Sequence, residues 1–448
     1  MSSRGKRGKD DTKDDGSRKG KRSGRSRTPR GGRKDGKGED DEQGDMISGS
    51  ILPIIFGFGG FNGPQGEDAG DDGDGWRPKG KMAVLKDRIQ KSGMDAKDKE
   101  QVLLRLKNSN EERNKHVEWF EYLLRVPFGK YASISVTQDS STEELNSYFS
   151  KIQTSLDEAV YGMTDVKEEI LNYIAQFISN GEKGMPRVIG LCGPAGAGKT
   201  SLIRRGLSLA LNRQMRSFSC GGLRDSAYLL GFEHTYSGSR YGRIAQSLIE
   251  SEIMNPILFF DELDKISDTC DGRDIANVLI HLTDPSQNYE FNDKYFAGVR
   301  IDMSKVVFVF SYNDSSLIHP VLKDRIHEIK ISPFTEEEKI VIGTKYLLKE
   351  VGSNIGFKDG DIVIPDEVMR FIIKEYCKND KGVRPLKRCI ETILMKLNTA
   401  RYYKQTKYKT ISKENIKLPY TLSEEVVKEL IKKKESDDAM LSYPSFYL

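Results

Sequence analysis

Nowhere in the 448 residues is there an apolar run long enough to cross a bilayer as a helix. The five cysteines form no CxxC pair and no disulfide-like framework, which points to a reducing compartment. The five histidines show no metal-ligand spacing, which argues against a resident transition-metal centre. The N-terminus has the wrong order of charged and apolar residues for a secretory signal. A soluble protein of the cytoplasm or nucleus, without a membrane partner, is the expectation. One more absence divides the first part of the chain. From Glu39 to Gly75 there is no Lys or Arg, whereas residues 1–38 are dominated by Lys, Arg, Gly and Ser. The net charge of +4 therefore hides a basic arm followed by an acidic stretch. Residues 1–80 hold too little apolar surface to offset the entropy of ordering, and read as a disordered charged tail. The basic arm reads either as a segment for nucleic acid or nuclear import, or as a solvated tail. Within the tail, Met46–Phe61 (MISGSILPIIFGFGGF) is too short and Gly-rich for a membrane span; it reads as a linker or a docking segment.

What is present is concentrated in Arg187–Leu202, RVIGLCGPAGAGKTSL. A short apolar run, Val188–Cys192, has the character of a buried strand. It leads into Gly193-Pro194-Ala195-Gly196-Ala197-Gly198-Lys199-Thr200-Ser201, which fits G-x-x-x-x-G-K-[ST] and is followed by helix-compatible leucines. Strand, Gly-rich loop and helix are the setting in which backbone N–H groups turn inward around a triphosphate. Lys199 then reaches the β- and γ-phosphates and the Thr200 hydroxyl ligates Mg²⁺. The cofactors expected are ATP and Mg²⁺.

Around this motif, strands expected at Arg216–Cys220, Ile257–Phe260, Val306–Phe310 and Ile326–Ile331 alternate with helical patterns. The pattern predicts an α/β fold, a parallel sheet flanked by helices. Helical segments from Lys81 to Lys130 precede it, with Met82, Val84, Leu85 and Ile89 on one face and a stop at Pro127. Beyond Thr335, helices at Glu336–Glu350, Pro365–Cys377 and Arg384–Tyr402 predict an all-α lid. Thr335 with Glu338, and Asp366 after Pro365, supply capping signals. A second chemical motif, Ile257-Leu258-Phe259-Phe260-Asp261-Glu262, is a strand ending in two acids. It suits Asp261 to hold Mg²⁺ through its water shell and Glu262 to act as general base toward water.

Taken together, residues from about 81 to about 434 resemble the ATPase part of Lon, the ATP-dependent AAA+ protease. The resemblance rests on TDVKEEILNYIAQF before the P-loop, then SCGGLRD, TYSGSRYGRI, NPILFFDELDK, LTDPSQN and KGVRPL in that order. HVEWFEYLLRVPFGKY is similar to the helical neck of that family. The resemblance implies an AAA+ P-loop fold with a neck at 81–135, a nucleotide-binding domain at 136–335 and a lid at 336–435, before a tail at 436–448. It also implies that Asn313 is sensor 1, Arg325 the arginine finger and Arg384 sensor 2, while Tyr161 and Gly162 line the adenine pocket. A finger acting in trans implies a ring, expected to be a homo-hexamer.

The same resemblance puts Tyr236, Ser237 and Gly238 on a pore loop that grips an extended polypeptide. A buried packing role is the alternative for Tyr236, because the residues after it depart from the family's apolar pattern. Lon continues into a Ser–Lys protease domain, and the roughly fifty residues from Lys404 onward here carry no such context. The expectation is an ATPase that unfolds or remodels protein substrates without its own peptidase activity. Two alternatives stand beside it, a nucleic-acid-associated ATPase and an ATPase subunit for a separate protease. For the last, the ending Phe446-Tyr447-Leu448 reads as a docking tail or as a strap on the lid.

Overall fold

A computed structural model describes residues 79–109, 114–180, 188–234, 238–378, 380–403, 411 and 416–431. The readings of the charged tail, of Tyr236 and Ser237, and of the Phe446–Leu448 ending lie outside these residues.

Five short strands, β1 Val188–Cys192, β2 Met215–Ser219, β3 Ile257–Asp261, β4 Val307–Tyr312 and β5 Ile326–Lys330, make one parallel sheet in the order β2-β3-β4-β1-β5. The expected strands are all present, with β2 starting one residue early and β4 reaching two residues further. The central strands are mostly apolar because both faces are covered; every residue of β4, Ser311 included, is buried. Strand alternation then sorts the side chains. Leu258, Phe260, Phe308 and Phe310 enter one hydrophobic cluster, while Ile257, Phe259, Val307 and Val309 enter another on the opposite face.

The second of these faces is covered by helices Thr142–Ala159 and Thr164–Asn180 and by the helix that starts at Lys199. The first is covered by Arg243–Ser251 and Cys270–Thr283, and its cluster continues into the three N-terminal helices Lys81–Lys91, Ala96–Lys107 and Asn114–Leu123. Within the first of those, Met82, Leu85 and Ile89 are buried, whereas Val84 is 60% exposed. Steps of three and four residues keep the other three on one stripe and turn Val84 outward. The N-terminal helices therefore pack on this chain's own sheet. Trp119 is their anchor: it is buried, its indole N–H donates to the Tyr295 carbonyl at 2.8 Å, and the Arg105 guanidinium lies 4.0 Å over its ring. Arg300 adds ion pairs to Asp95 at 2.7 Å and Asp98 at 3.2 Å.

The lid has a core of its own. Its first helix runs from Glu336–Val341 through a π-helical stretch, Ile342–Leu347, into Leu348–Ile355. The Thr335–Glu338 capping box forms in both directions. Asp366 does not cap: Pro365 holds the cap position, and Asp366 begins the helix Asp366–Tyr376, where its charge favours the helix N-terminus. The helix Arg384–Tyr402 lies where the sequence pattern put it. A short parallel pair, Ile362–Val363 with Tyr420–Thr421, and the helix Glu424–Leu430 complete the lid. Among the described residues no helix is long and apolar enough to cross a membrane.

Candidate functional site

The phosphate loop leaves the sheet where β1 ends. The Gly193 N–H donates to the Tyr312 carbonyl at 3.1 Å, tying the loop to the end of β4. Gly196 at φ 77° and Gly198 at φ 89° occupy the left-handed region and let the backbone curl. Gly198 precedes the helix that starts at Lys199, and no side chain caps that helix. Its first N–H groups therefore remain available to an anion. Ala195, Gly196, Ala197, Gly198, Lys199, Thr200 and Ser201 line a cleft of about 500 Å³. Gly193 and Pro194 stand behind the lining and offer their carbonyls to Lys199.

The Lys199 side chain is largely buried. Its ammonium donates to the Gly193 carbonyl at 2.5 Å, the Asn313 amide oxygen at 2.9 Å and the Tyr312 carbonyl at 3.3 Å. Burial lowers its pKa, and the nearby carboxylates of Asp261 and Asp264 work against that loss of charge. The cation is thus parked on neutral oxygens beside the phosphate loop, a short swing from the cleft.

Asp261 closes β3, and Glu262 follows it in a left-handed conformation at φ 58°, unusual for a residue with a side chain. The Glu262 N–H donates to its neighbour's carboxylate, Asp261 Oδ1, at 3.0 Å. Glu262 lies against the turn after β2: a Cβ on Gly221 would come within 2.7 Å of Glu262 Oε2. Asp261, Glu262 and Asn313 all line the cleft. The Thr200 hydroxyl and Asp261 carboxylate are hard oxygen donors of the kind Mg²⁺ takes when phosphate and water supply the rest. No group of three metal-ligating His, Cys, Asp or Glu side chains occurs among the described residues.

The lid closes the other side. Tyr161 and Tyr346 have ring centroids 6.0 Å apart with planes tilted by 51°, and with Val160, Phe334 and Ile342 they line an apolar slot at the side of the cleft, where a planar base can lie against the rings. Gly162 turns the chain just outside this slot at φ 68°. Arg384, first residue of its helix, lines the cleft, and a Cβ on Gly196 would meet its Cβ at 3.0 Å. The Val383 N–H also donates to the Gly196 carbonyl at 3.3 Å. Lid and phosphate loop touch through their main chains.

Arg325 stands apart from this group. Its guanidinium donates to the Ile280 carbonyl and to Asp284 Oδ2, the latter at 2.9 Å. It lines a separate surface pocket with Asp324, His327 and Asn288. Gly238 is exposed at φ 79° on a loop whose root is closed by the Phe232 N–H donating to the Arg240 carbonyl at 3.0 Å. Farther along, the buried Asp293 carboxylate accepts from the Gly242 N–H at 2.7 Å. Two residues escaped the sequence reading: Tyr346, opposite Tyr161, and Asp264, which lies two positions after Glu262, buried and hydrogen-bonded to the backbone at Asn313. For Asp264 the signal was the second Asp in DELDK, which by itself reads as an ordinary turn acid.

Comparison with known proteins agrees with this geometry. The model of the ATPase family associated with various cellular activities (AAA) matches residues 189–334, and that of the Lon protease AAA+ ATPase lid domain matches residues 353–410. A Lon protease homologue of Acanthamoeba polyphaga mimivirus is 41% identical over 59% of this chain and 26% of its own length. The mitochondrial Lon protease homologue of Homo sapiens is 34% identical over 73% of this chain and 32% of its own length. This chain thus spans about a quarter to a third of these relatives. A mutant RuvB from Thermotoga maritima superimposes with a TM-score of 0.41 at 16% identity, over 62% of this chain and 71% of that one.

Proposed function

This chain carries an AAA ATPase domain and a Lon-type lid, and from that premise we propose that it hydrolyses ATP in a homo-hexameric ring to unfold or remodel protein substrates. The observation that carries the proposal is the convergence of Lys199, Thr200, Asp261, Glu262, Asn313 and Arg384 on one cleft. Lys199 exchanges its carbonyl partners for the β- and γ-phosphate oxygens. Glu262 takes the proton of the attacking water, and Asn313 orients that water against the γ-phosphate. Arg384 senses the same phosphate from the lid, and the Tyr161–Tyr346 slot takes the adenine. Thr200 and Asp261 would hold Mg²⁺, which when bound neutralises charge on the phosphate oxygens.

The ring follows from Arg325. Its distance from the cleft of its own chain supports a role at a neighbour's nucleotide. Tyr236, Ser237 and Gly238 are proposed to grip the polypeptide, because an aromatic on a Gly-flanked loop wedges against side chains of almost any sequence. No peptidase step is part of the proposal. The test is a paired assay on the purified chain, following ATP hydrolysis and ATP-dependent unfolding of a fluorescent protein. Tyr236→Ala should keep basal hydrolysis and lose unfolding; undiminished unfolding by that variant would sink the threading role. Fluorescent casein in the same assay reports any peptide hydrolysis.

A second reading is favoured by the basic arm at residues 1–38. If the arm engages nucleic acid, duplex DNA should stimulate hydrolysis, and the DNA affinity read from that stimulation should fall steeply between 50 and 200 mM salt, by roughly 10³-fold if about six phosphates are contacted. Stimulation that ignores salt, or none, leaves protein remodelling as the function.

A further inference from the structure

We propose that Asp264 is a positioning residue for ATP hydrolysis: its buried carboxylate pins the main chain at Asn313 and so aims the Asn313 amide into the cleft. The inference rests on the reading of Asn313 as the residue that orients the attacking water.

Asp264 lies in the short turn Leu263–Lys265 that follows Glu262, and only 1% of its side chain is exposed. One oxygen, Oδ2, accepts the N–H groups of Asn313 at 3.1 Å and Asp314 at 3.3 Å. The other, Oδ1, is buried and has no hydrogen-bond partner among the described residues. Lys265 Nζ is 4.0 Å from Oδ2, too far for a good hydrogen bond, and the Lys199 ammonium acts on the carboxylate only through its charge. A carboxylate taken out of water with one oxygen unmet is a costly way to fill space, and an apolar residue of similar size would pack at lower cost. What the charge supplies is two hydrogen bonds to the backbone, each about twice as strong as a neutral one.

Those bonds fall where the chain leaves β4. Asn313 is the first residue beyond the strand, free of the sheet ladder, and its side-chain oxygen accepts from Lys199 at 2.9 Å. Three segments are thereby joined through the side chains of Asp264, Asn313 and Lys199: the turn after β3, the end of β4 and the phosphate loop. When Lys199 moves to phosphate, the Asn313 amide loses its partner and becomes available to water. The Asp264 bonds are to main chain, so they persist through that exchange and keep the amide pointed. Without them Asn313 is held at one end only, and a misplacement on the order of 1 Å costs about 10²-fold in rate.

The experiment measures kcat and KM for ATP, affinity for a slowly hydrolysed ATP analogue, and melting temperature, on the full chain. Asp264→Asn keeps an acceptor oxygen without charge and should lower kcat about 5-fold; Asp264→Ala should lower it more than 30-fold. Both should bind the analogue within 3-fold of wild type. The deciding step places each substitution in an Asn313→Ala background. If Asp264 acts through Asn313, the double variants turn over no more slowly than Asn313→Ala alone. Multiplying losses, or a wild-type kcat for Asp264→Asn, overturn the proposal. Should Asp264→Ala fail to fold, the Asp264→Asn cycle decides by itself. Wild-type turnover by Asn313→Ala would instead remove the reading of Asn313, an outcome distinct from failure of the pin.

Discussion

Arg325 and Lys199 stand at opposite ends of the same pair of strands. β1 and β5 run parallel and pair Val188 with Ile326 at one end and Cys192 with Lys330 at the other. Arg325 comes just before the first of these pairs, and the phosphate loop comes after the last. The strand between them spans about 16 Å at roughly 3.3 Å per residue. The guanidinium is also occupied, bound to Asp284 and the Ile280 carbonyl. An arginine so placed is suited to a phosphate on a neighbouring copy.

Arg325→Ala should therefore bind ATP and lose hydrolysis by roughly 10³-fold or more. Mixed with Lys199→Ala, it should regain part of the activity, because intact fingers then face intact phosphate loops. Steady-state ATPase of the mixture against each variant alone measures this. Full-rate hydrolysis by an isolated monomer would refute the arrangement in trans.

Lys199→Ala should abolish nucleotide binding, while Glu262→Gln should keep binding and reduce turnover by about 10²–10⁴-fold, the range for loss of a general base. A fluorescent nucleotide titration and a phosphate-release assay separate the two effects. Normal turnover by Glu262→Gln would show that the base is another group.

Trp119→Ala removes the ring that ties the N-terminal helices to the Tyr295 segment and leaves a cavity beneath Arg105. The expected cost is about 3–5 kcal/mol in the unit to which those helices belong. Hydrogen exchange should show the loss concentrated in residues 79–130, with analogue binding at the phosphate loop preserved.

Burial raises the Asp293 carboxyl from 3.8 to about 6, and its bonds from the Gly242, Tyr295 and Phe296 N–H groups pull the other way without cancelling the shift. Between these values the folded chain keeps a proton that the unfolded chain has released. This group therefore favours folding at low pH, and its contribution is lost as pH rises from about 4 through 6. The difference in melting temperature between wild type and Asp293→Asn should shift against wild type over that window by several degrees, about 3 kcal/mol, and stay flat above pH 7. A difference independent of pH would mean that the carboxyl is not shifted.

Much of the fold was legible because its signals are local. Val188–Cys192, the Gly-rich loop and the helix after Lys199 are contiguous, so one stretch carries both the strand and the conformational demand that only glycine meets. The central strands β1, β3 and β4 could be found as short, mostly apolar runs, since a sheet covered on both faces requires apolar residues at successive positions; the edge strands β2 and β5 carry polar residues and were legible mainly from their place between helical patterns. The Thr335–Glu338 cap is legible for the same reason, as both partners lie within one helical turn.

The rest depended on which distant segments meet. The sequence pattern groups Val84 with Met82, Leu85 and Ile89 on one face, but the buried stripe follows the other three at steps of three and four, and Val84 faces outward. Tyr346 forms one side of the slot opposite Tyr161, although nearly two hundred residues separate them and no local pattern marks the pair. The sequence determined which residues have the chemistry to hold a phosphate, a cation and a water. The tertiary structure decided that Arg325 is a strand's length from its own phosphate loop, and that Asp264 holds the backbone at Asn313. Strand order and the turns at strand ends set those distances, and they arise from burial summed over the whole sheet, which no single stretch of sequence encodes.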